Sequence, residues 1–412
     1  MPEDSLKLVI VGHVDHGKST LIGRLFFDTD SLPEGKMDEI KKTCESLGRE
    51  LEFAYIMDYF QEEREQNVTI DTAQAFFKTS KRHYVIIDAP GHKEFIKNMV
   101  TGASQAEAAV LIVDAREGVR EQTKRHAYVL SLLGLEQVIV AINKMDLVRY
   151  DEKRFNEIRK ELKKFLGGIS IEPKYSIPIS ARHGDNVAKR FGKMKWYDGP
   201  TILEALDSFR LKPRPFAKPL RFPVQDVYKI DGKRIIVGRI ESGRLEVGDA
   251  ITFLPEKNRS KVMSIEVFGR QKVAAEAGES IGITIEDPHF VDRGQVVCSG
   301  KEPKVSQRFK ANVFWMDRQP LRAGERITFK CATQEVRCVI ERIEKRIDSS
   351  TLETMERNAK ELNGTEVGEL VIRTDKPVAI EDFNDVEELG RFVLERGGNT
   401  VAGGIITHTE YA

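Results

Sequence analysis

Gly12-His13-Val14-Asp15-His16-Gly17-Lys18-Ser19 decides the fold of the first half of the chain. It fits the pattern GxxxxGK[ST] and lies between residues 8–11, which read as a strand, and residues 19–25, which read as a helix. Glycines at these positions let backbone N–H groups close around phosphate oxygens, and the start of a helix adds positive potential. Lys18 would reach the β- and γ-phosphates, and the Ser19 hydroxyl, followed by Thr20, would ligate Mg²⁺. His13, Val14, Asp15 and His16 would contribute through their backbone. An ordinary glycine-rich turn is the bland alternative, and the motifs that follow weigh against it.

Outward from this loop, apolar strands alternate with amphipathic helices. Residues 84–87, 110–113 and 138–142 are β-branched runs of the kind buried on both faces of a parallel sheet. Met37, Ile40, Cys44 and Leu47 recur at helical spacing, as do Phe155, Ile158, Leu162 and Phe165. This alternation predicts an open α/β sheet.

Each strand end carries a motif. Asp88-Ala89-Pro90-Gly91-His92 stands about 70 residues beyond the phosphate-loop lysine. Asp88 would hold Mg²⁺ through water, and Gly91, having no side chain, would approach a γ-phosphate through its N–H. His92 would orient the attacking water. Asn143-Lys144-Met145-Asp146 closes the strand at 138–142. A carboxylate there accepts hydrogen bonds from N1 and N2 of guanine, an arrangement adenine cannot match. Ser180-Ala181-Arg182 would place backbone donors near the guanine oxygen. Thr69, within Glu62-Glu63-Arg64-Glu65-Gln66-Asn67-Val68-Thr69-Ile70, would close onto Mg²⁺ and the γ-phosphate as a switch threonine. The expected catalytic set is Lys18, Thr69 and His92, and the expected metal set is Ser19, Thr69 and Asp88. GTP or GDP with Mg²⁺ is the expected ligand. No arginine is recognisable as a transition-state finger, so unassisted hydrolysis is expected at ~10⁻⁴ to 10⁻² s⁻¹.

The pattern changes near residue 211. Residues 212–219 hold three prolines and read as a stiff linker. Beyond them, short strands separated by Ser-Gly and Gly-Asp turns indicate β-barrels or sandwiches, with a second seam near residues 300–303. The expected architecture is multi-domain: an α/β P-loop GTPase domain over 1–211, then two all-β barrel domains over 212–302 and 303–412.

Composition narrows the function further. The chain has 412 residues, with 65 Lys+Arg against 65 Asp+Glu, which excludes a purely electrostatic nucleic-acid binder but permits a local basic face. The longest apolar runs fall far short of the ~18 residues that a membrane-spanning helix needs. No secretory leader is recognisable at the amino terminus, and Cys44, Cys298, Cys331 and Cys338 form no CxxC pair. Reduced thiols in a cytoplasmic protein are therefore expected, with a Cys331–Cys338 disulfide as the alternative.

The ordered set GHVDHGKS, EREQNVTID, DAPGH, NKMD and SAR resembles the translation-factor class of GTPases, a GTPase domain followed by two β-barrels. Two branches of that class compete. The phosphate loop and residues 88–106 look like the elongation factors that carry aminoacyl-tRNA to the ribosome. Residues 122–134, with Arg125 where elongation factors typically carry glutamate, look like subunit 1 of sulfate adenylyltransferase. So do 313–330, 343–352 and 367–377. The resemblance in the third domain, which helps form the tRNA surface in elongation factors, favours the sulfate branch. It implies a regulatory GTPase whose partner is a separate catalytic subunit making adenosine 5′-phosphosulfate from ATP and sulfate. The alternative implies aminoacyl-tRNA and the ribosome as partners. Asn67 departs from both branches, which have glycine there.

Overall fold

The computed structural model describes residues 5–32, 35, 53, 74–87, 106–211, 217–230, 232–267, 270–286 and 291–410. It forms two compact units, Met1–Leu211 and Lys212–Ala412.

The first unit is built on a six-stranded sheet in the order β2-β3-β1-β4-β5-β6. Its strands are β1 (Ser5–Gly12), β2 (Gln74–Lys78), β3 (His83–Ile87), β4 (Ala108–Asp114), β5 (Gln137–Asn143) and β6 (Tyr175–Pro178). All neighbours are parallel except β2, which pairs antiparallel with β3 at the edge. Every residue of β4 is buried, as its unbroken apolar run requires. The connecting helices are α1 (Lys18–Asp28), α2 (Glu121–Leu132), α3 (Glu152–Gly168) and α4 (Ile202–Asp207). In α3, Phe155, Ile158, Leu162 and Phe165 form the buried face, while Asp151 caps the amino end by accepting from the N–H groups of Lys153 and Arg154. Thr201 and Glu204 make a reciprocal capping box on α4. β1 is central, with the chain moving to β3 on one side and β4 on the other. The carboxyl ends flanking β1 are where open α/β sheets form their ligand crevice.

The second unit contains two closed barrels. The first runs through β7 (Leu220–Ile230), β8 (Lys233–Arg239), β10 (Ala250–Leu254), β11 (Asn258–Val267), β14 (Ser280–Ile285) and β15 (Val296–Ser299), and pairing of β10 with β11 closes the ring; the short strands β9 (Arg244–Glu246), β12 (Arg270–Lys272) and β13 (Ala274–Glu276) lie outside it. Phe222, Val224, Phe253, Ile265 and Ile283 fill it. The second uses β16 (Lys304–Trp315), β18 (Arg326–Cys331), β19 (Gln334–Asp348), β22 (Glu366–Ile380), β23 (Arg391–Arg396) and β24 (Asn399–His408), closed by β18 against β19, with the short strands β17 (Leu321–Arg322), β20 (Thr354–Ala359) and β21 (Glu361–Leu362) outside the ring. Its core gathers Phe309, Trp315, Phe329 and Phe392. Closure leaves no unpaired edge within either ring. A single helical turn, α5 (Glu387–Gly390), interrupts the second barrel where the sequence carries little helical pattern. Cys298, Cys331 and Cys338 are buried free thiols, so the alternative disulfide is not formed. Cys331 faces Gln334 across the β18–β19 hairpin, while Cys338 faces Ile327.

The barrels are joined by one buried ion pair. Arg221 of β7, 1% exposed, donates through Nε to Glu381 Oε2 at 2.9 Å and through Nη2 to Oε1 at 2.7 Å. Around it Leu254, Val296, Cys298, Ala379 and Leu389 form a small core shared by both barrels. The neighbouring Glu241 makes no such ion pair among the described residues. Burial, then repulsion from Glu388 of α5, pushes its carboxyl up to about 7 from an ordinary 4.5. A proton is thus held in the folded state that the unfolded chain has lost. The resulting stability is complete below pH 4.5 and is lost as pH rises through 7. Glu241→Gln is expected to raise the unfolding free energy of the chain at pH 8 by about 1–2 kcal/mol and to leave it nearly unchanged at pH 4.5. Thermal unfolding at the two pH values checks this.

Candidate functional site

The phosphate loop follows β1 directly. Gly17 has φ +96°, a left-handed conformation that favours glycine, and a Cβ there would lie 2.3 Å from Asn143 Nδ2. A Cβ on Gly12 would lie 2.4 Å from the Ile112 carbonyl oxygen of β4. Packing therefore fixes both glycines, and backbone angle fixes Gly17 as well. Asp15 also adopts positive φ, turning the loop tightly into α1. Lys18 Nζ donates to the Gly12 carbonyl at 3.1 Å, and Ser19 is exposed at the start of α1. The arrangement is a backbone cradle beneath a helix amino end, which suits a phosphate.

Asn143 joins this loop to the two other motifs. It is 2% exposed; its Nδ2 donates to the His16 carbonyl at 2.9 Å and its Oδ1 accepts from the Ala181 N–H at 2.9 Å. One side chain thus holds the phosphate loop at a set spacing from residues 180–182. Lys144 takes positive φ, and its Nζ pairs with Asp114 Oδ2 at 2.7 Å. Burial pushes the Asp114 carboxyl up, but hydrogen bonds from Lys144 and from the N–H groups of Arg116 and Glu117 outweigh it, leaving the group below its ordinary value. The Met145 N–H donates to the Ile179 carbonyl at 3.1 Å, which pins the turn Met145–Val148. Asp146 Oδ1 accepts from Ser180 Oγ at 2.6 Å, so the expected base-recognising carboxylate is held by the expected third motif. Ala181 is buried and Arg182 exposed.

His16 is fully buried, and burial followed by repulsion from His13 lowers its pKa, so the imidazole is neutral at pH 7. His13 Nδ1 bonds with Gln122 Oε1 of α2. His16 is thus enclosed and His13 half-buried beside it. Thr69, Asp88, Ala89, Pro90, Gly91 and His92, with Cys44, Asn67 and the helix expected at 37–47, lie outside the described residues. Sequence reasoning missed Asp114, Tyr150, His183 and Asp185. Tyr150 donates to Asp185 Oδ2 at 3.0 Å, and His183 Nδ1 meets Ser180 Oγ at 2.9 Å. The signal available for Asp114 was its place at the end of β4, as for the motif ends of β1 and β5.

Residues 3–211 match the elongation factor Tu GTP binding domain, and residues 308–407 match the GTP-eEF1A C-terminal domain-like family. The chain belongs to the translation-factor GTPases. Its relatives include elongation factor 1-alpha of Methanopyrus kandleri, 41% identical over 99% of this chain and 98% of that protein. That of Thermoplasma acidophilum is 41% identical over 97% and 96%, and that of Thermococcus onnurineus 40% over 99% and 98%. Among solved structures, sup35 complexed with GDP aligns over 99% of this chain and 95% of that one, with a TM-score of 0.47 and 25% identity.

These matches overturn the sulfate adenylyltransferase reading: the full-length relatives are named elongation factor 1-alpha. The misleading stretches have a physical explanation. Val313, Phe314 and Trp315 are at most 1% exposed on β16, and Phe329, Ile343 and Leu370 are buried in the same barrel. Residue choice there follows barrel packing rather than partner. Arg125, the other sulfate-like feature, pairs with Glu121 at 3.1 Å one turn earlier on α2.

Asn143→Ala removes two buried hydrogen bonds at once and is expected to cost the first unit about 2–4 kcal/mol and to weaken GDP binding. Thermal unfolding and a GDP titration read the two effects separately.

Proposed function

We propose that this chain is a GTP-dependent elongation factor that delivers aminoacyl-tRNA to the ribosome. The observation that carries this reading is the run of elongation factor 1-alpha relatives, 38–41% identical over nearly the whole chain. The family match over 308–407 supports it in the third domain, where the sulfate reading rested.

GTP would bind with its phosphates in the cradle of residues 12–20 and its base against Asp146, with Ser180 and Ala181 beside it. Asp146, held by Ser180, would accept from N1 and N2 of guanine; the Ala181 N–H, already bonded to Asn143, would keep the loop edge in place. Ser19, Thr69 and Asp88 would hold Mg²⁺, which when bound neutralises charge on the β- and γ-phosphates. Lys18 would stabilise the same charge, Gly91 would approach the γ-phosphate, and His92 would orient water for attack. Release of Thr69 after hydrolysis would relax the loop around it. A cytoplasmic setting accords with this role, and among the described residues no helix is long and apolar enough to cross a membrane.

Hydrolysis by the chain alone is expected to be slow and to rise at least 100-fold, as an order of magnitude, with ribosomes and aminoacyl-tRNA. ATP and sulfate are expected to leave it unchanged. A multiple-turnover phosphate-release assay separates these; fast turnover without ribosomes would contradict the proposal. Asp146→Asn is expected to transfer preference from guanine towards xanthine nucleotides, and an unaltered GTP preference in a competition titration would remove Asp146 from the base site.

A further inference from the structure

The side chain that holds Asp146 is itself held. Ser180 Oγ has a single proton, and it donates to Asp146 Oδ1 at 2.6 Å. Its lone pairs can therefore only accept from the third partner, His183 Nδ1 at 2.9 Å. The chain of bonds is His183 Nδ1–H to Ser180 Oγ, then Ser180 O–H to Asp146. Ser180 is fully buried, so it has no solvent partner with which to replace the imidazole, whereas the His183 side chain is 54% exposed and open to protons. His183 Nδ1 also lies 4.0 Å from Asp146 Oδ2, the second carboxylate oxygen.

We propose that His183 is a positioning residue for guanine recognition, fixing the Asp146 carboxylate through Ser180 and making nucleotide affinity dependent on its own protonation. This rests on the reading of Asp146 as the base-binding carboxylate. A neutral imidazole with its proton on Nδ1 orients Ser180 and leaves the full carboxylate charge for the two guanine donors. An imidazolium keeps the same hydrogen bond but adds a positive charge beside Oδ2, which competes with those donors and repels them.

The other charged groups around His183 do not cancel this. Asp185, on the same loop, is 5% exposed and accepts from the Tyr150 hydroxyl. Burial raises the pKa of Asp185 and Asp146 adds repulsion, while the Tyr150 hydroxyl, then His183 and Lys193, oppose the rise. From α1, the Arg24 guanidinium comes against the Gly184 backbone but is paired with Asp28 at 2.8 Å. His183 therefore faces two carboxylates, Asp185 and Asp146, and Asp146 is the one the base would address.

The test is a GDP titration of the full chain between pH 5.5 and 8.5, run on the wild type, His183→Asn and His183→Ala. Asparagine offers an amide N–H close to the place of Nδ1 but does not titrate. The nucleotide phosphate also titrates in this range, and its contribution is common to all three proteins. Wild-type affinity is expected to fall about two- to fivefold more than that of His183→Asn as pH is lowered. At pH 8 the asparagine variant is expected to match the wild type, and His183→Ala to bind about two- to fivefold more weakly. Identical pH slopes for wild type and His183→Asn would overturn the proposal, as would full affinity in His183→Ala. Asp146→Asn distinguishes the two levels: if it transfers preference to xanthosine diphosphate while the His183 variants behave as wild type, the base assignment stands and the role of His183 alone fails.

Discussion

The buried amide of Asn143 is the contact on which the nucleotide site depends. It ends β5, yet it donates to the phosphate loop and accepts from residue 181, so three segments far apart in sequence are fixed by one side chain. An amide is suited to this because it offers a donor and an acceptor at once, and because neither needs a charge. A carboxylate in its place would set oxygen against the His16 carbonyl. The position of Gly17 follows from the same constraint, since any larger residue would collide with the amide nitrogen. Asp114 acts one layer out, holding Lys144 so that the turn carrying Asp146 presents its carboxylate beside Ser180.

The second unit solves a different problem by similar means. The two closed rings are each complete in themselves, and they meet through side chains. Arg221 and Glu381 make a bidentate bond that is buried on both sides, and a small apolar cluster surrounds it. Breaking one partner of such a pair leaves an uncompensated charge, which makes the joint specific even where its net contribution to stability is small. Glu241 and Glu388 are also buried at this joint, and burial outweighs the attraction of Arg239 for the first and of Arg391 and Lys218 for the second, so both pKa values are raised.

The sequence made the contiguous parts of this design legible. The phosphate loop, NKMD and SAR each carry their chemistry within a few residues, and the β-branched runs of β4 and β5 announce strands buried on both faces. What was not legible is made by folding: Asp114 reaches Lys144 across 30 residues of chain, and the bond from His183 through Ser180 to Asp146 has meaning only once β5 and β6 are neighbours. The third domain misled for the converse reason. Its sulfate-like stretches lie on β16, β18, β19 and β22, where Trp315, Phe329, Ile343 and Leu370 face the barrel core. Such residues report how a barrel is filled rather than what it binds.

The most direct measurement is the affinity of the purified chain for aminoacyl-tRNA, compared between its GTP- and GDP-bound forms at several salt concentrations. The account predicts binding in the GTP form that weakens steeply with salt, as phosphate contacts require, and much weaker binding in the GDP form. Equal affinity in the two forms, or no binding with GTP at low salt, would contradict it.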